Sequence, residues 1–141
     1  MYQILNCCQV SPYIFIINIL LGFYFNYILY GLLFICLCLT SIIYHTYNTE
    51  FTYIIDKVSI IYIILYGIML FNQKIKIINY NFISIIMCIL IILTFLSVFY
   101  LYYYGYIIKN YCFHTDTNIA YKYHSWIHYI TSLSHSLIML L

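Results

Sequence analysis

Apolar residues occur in long runs that are separated by short polar links. The longest run covers residues 12–44 and has 33 positions. As one straight helix it would be about 50 Å long, whereas the hydrocarbon core of a bilayer is about 30 Å thick. We therefore predict a break around Gly22 to Asn26, with helices over 2–21 and 27–45. A single tilted helix from Pro12 is the alternative.

Three further apolar runs predict helices over 51–71, 81–104 and 122–141. The polar links NQKIK and KNYCFHTDTNIAYK separate them. Closed strands are the only other solution in lipid, and they need short alternating segments, which the chain does not show. The pattern predicts an all-α fold, a polytopic transmembrane helix bundle of four to five spans, as one integral membrane domain over 1–141.

Composition places the chain in a lipid bilayer. It is 67% hydrophobic and only 6% charged, far from the composition of a soluble globular domain. With five Lys and Arg residues in total and a net charge of +2, a nucleic-acid partner is excluded. The lysines divide three to two between the two predicted edges, so they assign neither the membrane nor the orientation. Six cysteines without C-x-x-C spacing argue against a zinc ribbon or a disulfide framework.

The few polar side chains within the runs fall at one edge of the bundle. Ser41 and His45 are four residues apart and share a helix face. Asp56 begins the next run after the link TYNTE, so it lies at the same edge as His45. The third helix leaves that edge and the fourth returns to it. His124 and His128, at the start of the last helix, are therefore expected there too.

These residue types suggest a metal site. His124 and His128 have the spacing at which two imidazoles bind one metal from a single helix face. His45 would be a third nitrogen ligand. Three histidines with one open position are typical of a catalytic zinc, which lowers the pKa of a bound water. Asp56 would act as general base or orient a histidine, and Ser41 would support the ligands or bind a substrate oxygen.

Each of these residues also has a purely structural interpretation. His45 can be an interfacial side chain with a wet tip. The pair His124 and His128 has a spacing that often arises by chance. Asp56 can interact with a helix N-terminus, and Ser41 with its own backbone. A non-catalytic membrane protein that uses the same polar cluster for helix packing is therefore the competing hypothesis.

Other polar residues are expected to have supporting roles. His135 lies seven residues beyond His128, about 10 Å along a helix, which is too far for the same metal. We expect it to form a hydrogen bond with a neighbouring helix. His114 and Asp116 are expected to be solvated loop residues, and the aromatic cluster around Tyr102 to be an interfacial anchor.

The order S-x-x-x-H, D and H-x-x-x-H resembles the signature of the CREST superfamily of membrane hydrolases. That group includes alkaline ceramidases, progestin and adipoQ receptors, and hemolysin III-like proteins. The stretch SIIYHTYNTEFTYIIDKVSIIYIILYG is most similar to the hemolysin III and adipoQ-receptor branch, in which a tyrosine-histidine pair ends the second helix and an aspartate opens the third. HSWIH is similar to the ceramidases as well. The similarity covers roughly residues 37–68 and 122–135.

The resemblance implies a Zn²⁺ held by His45, His124 and His128, with Asp56 and Ser41 close to the metal or its water. The implied reaction is hydrolysis of an amide or ester bond in a lipid substrate. Members of the superfamily usually have seven helices, whereas this chain has room for four or five. A homo-oligomer, a membrane complex or a non-catalytic relic would each account for the difference.

Overall fold

The computed structural model describes residues 7–141, and within this range every regular element is helical. This confirms the all-α fold. Within residues 7–141, four helices are long and apolar enough to cross a membrane, and a fifth, more polar helix follows them. Their bounds are Cys7–Tyr24 (α1), Ile28–Tyr47 (α2), Glu50–Ile77 (α3), Phe82–Ile108 (α4) and Thr117–Leu140 (α5).

The long N-terminal run folds as two helices. The chain turns between α1 and α2, where Asn26 has a positive φ of 60°. Asparagine tolerates this left-handed conformation better than most residues. A single tilted helix from Pro12 is therefore wrong. The first five residues of the helix predicted over 2–21 lie outside the described residues.

Two predicted helix ends are wrong because polar side chains find partners that a linear pattern does not reveal. The link NQKIK is part of α3, and Lys74 Nζ donates to the carbonyl of Met139 over 2.8 Å. The last helix begins at Thr117 and not at residue 122, because Asp116 Oδ1 accepts from the backbone N–H of Asn118 over 2.8 Å. This is an N-cap, which satisfies a backbone donor at the helix start.

The polar helix α5 lies in the interior of the bundle and packs against α1 and α4. Asn18 of α1 is fully buried and donates to the carbonyl of Ser132 over 2.9 Å and to Ser136 Oγ over 3.0 Å. Its own side-chain oxygen accepts from Ser132 Oγ over 2.6 Å. In a bilayer such bonds between helices replace water as partners for polar groups. They allow a serine-rich helix to be buried in an apolar bundle.

The helices α3 and α4 are neighbours in the chain, but their backbones lie apart, and they meet through side chains such as Lys57 and Tyr102. No Cα of Glu50–Ile77 lies within 8 Å of a Cα of Phe82–Ile108. The α4 helix packs instead against α5. Only 11% of the most apolar 18-residue stretch of α4 is buried. We call this separation of the two backbones the gap between α3 and α4.

Candidate metal centre

Three histidines from two helices form a cluster at one end of the bundle. His45 lies in the last turn of α2, and His124 and His128 lie one turn apart on α5. One ligand atom of each ring lies within 4.8 Å of those of the other two. The ring centroids are 4.9 to 5.4 Å apart. The structure thus confirms the predicted meeting of these residues, and the triad can hold a metal ion.

Local chain geometry at two helix ends positions the cluster. The α2 helix ends at Tyr47, within a turn of His45, because Asn48 adopts a left-handed conformation, with φ 48°. Thr49 then starts α3 through a capping box with Thr52: each hydroxyl accepts from the other residue's backbone N–H, over 3.2 and 3.0 Å. This tight link holds the end of α2 close to the start of α3.

The third histidine of the cluster, His128, has a hydrogen-bond partner that sequence reasoning missed. Ser11 Oγ lies 2.7 Å from Nδ1 of His128, and both side chains are buried. When Nδ1 donates to the serine oxygen, this contact orients the ring and leaves Nε2 unprotonated for a metal. The ring of Phe15 also packs against His128, with centroids 5.5 Å apart. The only sequence signal was a serine next to Pro12 in an apolar run.

The donor set fits a transition metal such as zinc. Nε2 of His45 is buried and has no hydrogen-bond partner among the described residues, a costly state unless something binds there. Three nitrogens around one zinc would lie about 3.4 Å apart, so rings whose ligand atoms lie within 4.8 Å of one another would have to move inward to bind one ion together. Burial raises the pKa of the nearby Cys112 thiol to about 12. Its sulfur is not among the groups at ligand distance from one another in the described residues, so the three imidazoles form the candidate donor set.

Asp56 is buried beside Lys57 near this end of the bundle. Its Oδ2 lies 3.4 Å from Lys57 Nζ, while Oδ1 has no hydrogen-bond partner in the described part of the chain. The carboxylate is not among the groups at ligand distance from one another. A carboxylate oxygen that accepts no hydrogen bond from the protein can accept a proton or a hydrogen bond from another group.

Lys57 is held above three tyrosine rings. Its Nζ lies 5.7, 5.1 and 5.6 Å from the ring centroids of Tyr44, Tyr53 and Tyr102. Cation–π contacts of this kind stabilise a partly desolvated ammonium. Tyr102, predicted only as an interfacial anchor, thus also contacts a residue of the candidate site.

Two cavities meet at the cluster. A pocket at the rim has a volume of about 260 Å³ and includes His45, Asn48 and Cys112 in its wall. A larger, mainly apolar cavity of about 610 Å³ lies between α3, α4 and α5, and Ser41 and His128 belong to its wall. Three side chains line both cavities: Lys57, Tyr102 and His124. The histidines therefore lie where a polar entrance and an apolar chamber adjoin.

Three polar residues expected to lie outside the cluster do so. His135 bonds through Nδ1 with the hydroxyl of Tyr30 on α2, as predicted. Asp116 is the N-cap of α5, and its backbone N–H donates to Nδ1 of His114 over 2.9 Å. The loop residues therefore have a structural role at the start of the helix that carries two of the histidines.

Comparisons with models of protein families, with curated proteins and with solved structures gave no match. The geometry of the described residues therefore carries the functional argument.

Proposed function

We propose that this protein is a zinc-dependent integral membrane hydrolase that cleaves an amide or ester bond in a lipid. One observation carries the proposal: His124, one of three clustered histidines, lines both the rim pocket and the apolar cavity. A hydrolase of lipids needs access for water and for a hydrocarbon chain at the same reacting bond. The resemblance to the CREST superfamily points to the same chemistry.

The triad residues would hold the metal through one nitrogen each. When bound, zinc supplies a Lewis acid that polarises a carbonyl group and lowers the pKa of water. Ser11 would keep His128 in the orientation that binds metal. Asp56 would accept a proton through its vacant Oδ1, and Ser41 would bind an oxygen of the substrate.

The cavity would bind the hydrocarbon part of the substrate. Its volume of about 610 Å³ is in the range of small-molecule sites, and its wall is made mostly of Ile, Leu and Phe side chains. The gap between α3 and α4 would let a lipid enter sideways from the bilayer. Water would reach the scissile bond through the rim pocket.

Metal content and turnover test this proposal together. We expect purified protein to hold close to one zinc per chain, and His128→Ala to lose the metal and the hydrolysis of a lipid amide or ester. His114→Ala is the matched control, because His114 lies outside the cluster, and it should retain both. Less than about a tenth of a zinc per chain in the parent protein, with no change in His128→Ala, would refute the proposal.

A non-catalytic membrane protein is the second candidate. Hydrogen bonds between polar side chains already join α1 to α5 through Asn18 and α2 to α5 through His135. The histidine cluster would then be one more such contact. This function predicts that zinc is absent and that Asp56→Asn weakens assembly of the bundle while no turnover is lost.

A further inference from the structure

A second polar site lies in the wall of the apolar cavity, away from the histidine cluster. Ser134 and His135 both line the cavity, and both are buried, with exposed fractions of 1% and 0%. Ser134 Oγ and His135 Nε2 have no hydrogen-bond partner among the described residues. Buried polar atoms in this state cost free energy and require an explanation.

The hydrogen bond with Tyr30 determines what His135 can offer a ligand. The only bond assigned to the Tyr30 hydroxyl in the described chain joins it to Nδ1 of His135. If Nδ1 donated, the tyrosine proton would have no acceptor. The arrangement that satisfies both groups has the tyrosine donating to Nδ1, which places the imidazole proton on Nε2. Among the described residues, the Nε2 N–H of His135 is therefore a buried donor without an acceptor.

Packing holds this ring in place. The rings of Phe34 and Phe95 lie edge-on to His135, with centroids 5.4 and 5.5 Å away. Gly67 leaves the necessary space, because a Cβ at that position would lie 2.8 Å from Cε1 of the imidazole. A tightly packed ring with one vacant donor is suited to orient a ligand rather than to move.

Ser134 departs from the usual behaviour of serine in a buried helix. Such hydroxyls generally donate to the carbonyl one turn earlier, as Ser125 does to Tyr121 over 2.9 Å. Ser134 has no such bond in the described part of the chain. Its hydroxyl is therefore free to donate to or accept from a group in the cavity.

We propose that Ser134 and His135 form a subsite that binds an uncharged oxygen, such as a hydroxyl, on the hydrocarbon chain of a lipid. The subsite lies about 10 Å from His128 along α5, so the oxygen belongs to the chain and not to the headgroup. Lys57 is the only lysine or acidic residue in the cavity wall, in the described part of the chain, and it contacts Asp56 at the rim. A charged ligand group would have no counter-ion at the subsite. This inference deepens the proposed function and rests on its lipid cavity.

A matched pair of fatty acids tests the subsite. Ricinoleate carries a mid-chain hydroxyl that oleate lacks. The binding of each fatty acid is measured on metal-free protein in nanodiscs, so that hydrolysis cannot affect the result. We expect ricinoleate to bind about tenfold more tightly than oleate, because its hydroxyl gives one buried donor a hydrogen-bond partner. The measured quantity is the ratio of the two dissociation constants. Tyr30→Phe and Ser134→Ala should each reduce that ratio several-fold. Ser136→Ala is the control, since this buried serine bonds to Asn18 and does not line the cavity.

The outcomes separate the two proposals. Equal binding of both fatty acids, or a preference that survives in both variants, would overturn the subsite and leave the lipid cavity intact. If neither fatty acid binds, the lipid cavity is refuted, and the subsite with it. Loss of the preference in Ser136→Ala as well would show a general packing effect and would also overturn the subsite.

Discussion

Ser11 Oγ lies 2.7 Å from Nδ1 of His128, although 117 positions separate them in the chain. The contact joins the start of α1 to the first half of α5, and it engages Nδ1 of His128, so that Nε2 is the nitrogen left for a metal. A ligand that is pre-oriented in this way binds metal more tightly than one that rotates freely. The N-terminal helix thus contributes to the candidate site without supplying a ligand.

Ser11→Ala should lower zinc affinity about ten- to a hundredfold, the usual cost of losing an outer hydrogen bond to a ligand. At saturating zinc the protein should still bind one ion, because all three imidazoles remain. Competition with a zinc chelator measures both quantities. Ser125→Ala is the control, because this buried α5 serine bonds to the Tyr121 carbonyl and not to a histidine. An unchanged affinity in Ser11→Ala would remove Ser11 from the site.

Asp56→Asn should reduce turnover by about a hundredfold or more while zinc stays bound, because an amide cannot accept the proton that a general base removes. Metal content and kcat on the same sample separate the two effects. Glu50→Gln is the control, since Glu50 is an exposed acidic residue in the first turn of α3. If Asp56→Asn instead lost the metal, the carboxylate would have a structural role at the cluster.

The fold was predictable because a bilayer leaves few choices. Backbone groups in lipid must bond within a helix, so run length and polar links predict the helices. Counting crossings then predicts that His124 and His128 return to the edge of His45, and the structure brings them together. This part of the site follows from connectivity alone.

The rest of the site depends on how helices pack side by side, which hydrophobic runs do not encode. Ser11 faces α5 only because α1 crosses it, and nothing in the spacing of the sequence places it there. From the sequence, Tyr102 was expected only to anchor α4 at the membrane interface. Its ring lies under the ammonium group of Lys57 because of the path that α4 takes. The cavity exists because α3 and α4 are separated, a property of the pair and not of either helix.

Gly67→Ala should destabilise the bundle by about 1–3 kcal/mol, the usual cost of forcing a methyl group into a filled core. The added Cβ would lie 2.8 Å from Cε1 of His135 and 2.9 Å from the Tyr30 hydroxyl oxygen. Thermal unfolding in detergent measures the change. Gly31→Ala is a milder control, as the nearest atoms to its Cβ would belong to the Phe23 side chain, at 3.3 Å. A Gly67→Ala protein as stable as the parent would show that the ring of His135 can move to accommodate the added methyl group.

We predict that a lipid substrate enters the apolar cavity through the gap between α3 and α4. Ile64 of α3 lines the apolar cavity, while its neighbour Leu65 does not and is 59% exposed. Ile64→Trp should obstruct the cavity and raise KM for a long-chain lipid by about tenfold, equivalent to ~1.4 kcal/mol of binding. Leu65→Trp places the same ring toward the surrounding lipid and should leave KM unchanged.

Zinc content should be equal in both tryptophan variants, because neither position belongs to the histidine cluster. A short-chain substrate adds a second comparison, since it should be hydrolysed by Ile64→Trp almost as well as by the parent. If the two tryptophan variants raise KM equally, the chain does not enter between α3 and α4. The hydrocarbon would then have to reach the histidines from the rim pocket, past Lys57 and Tyr102.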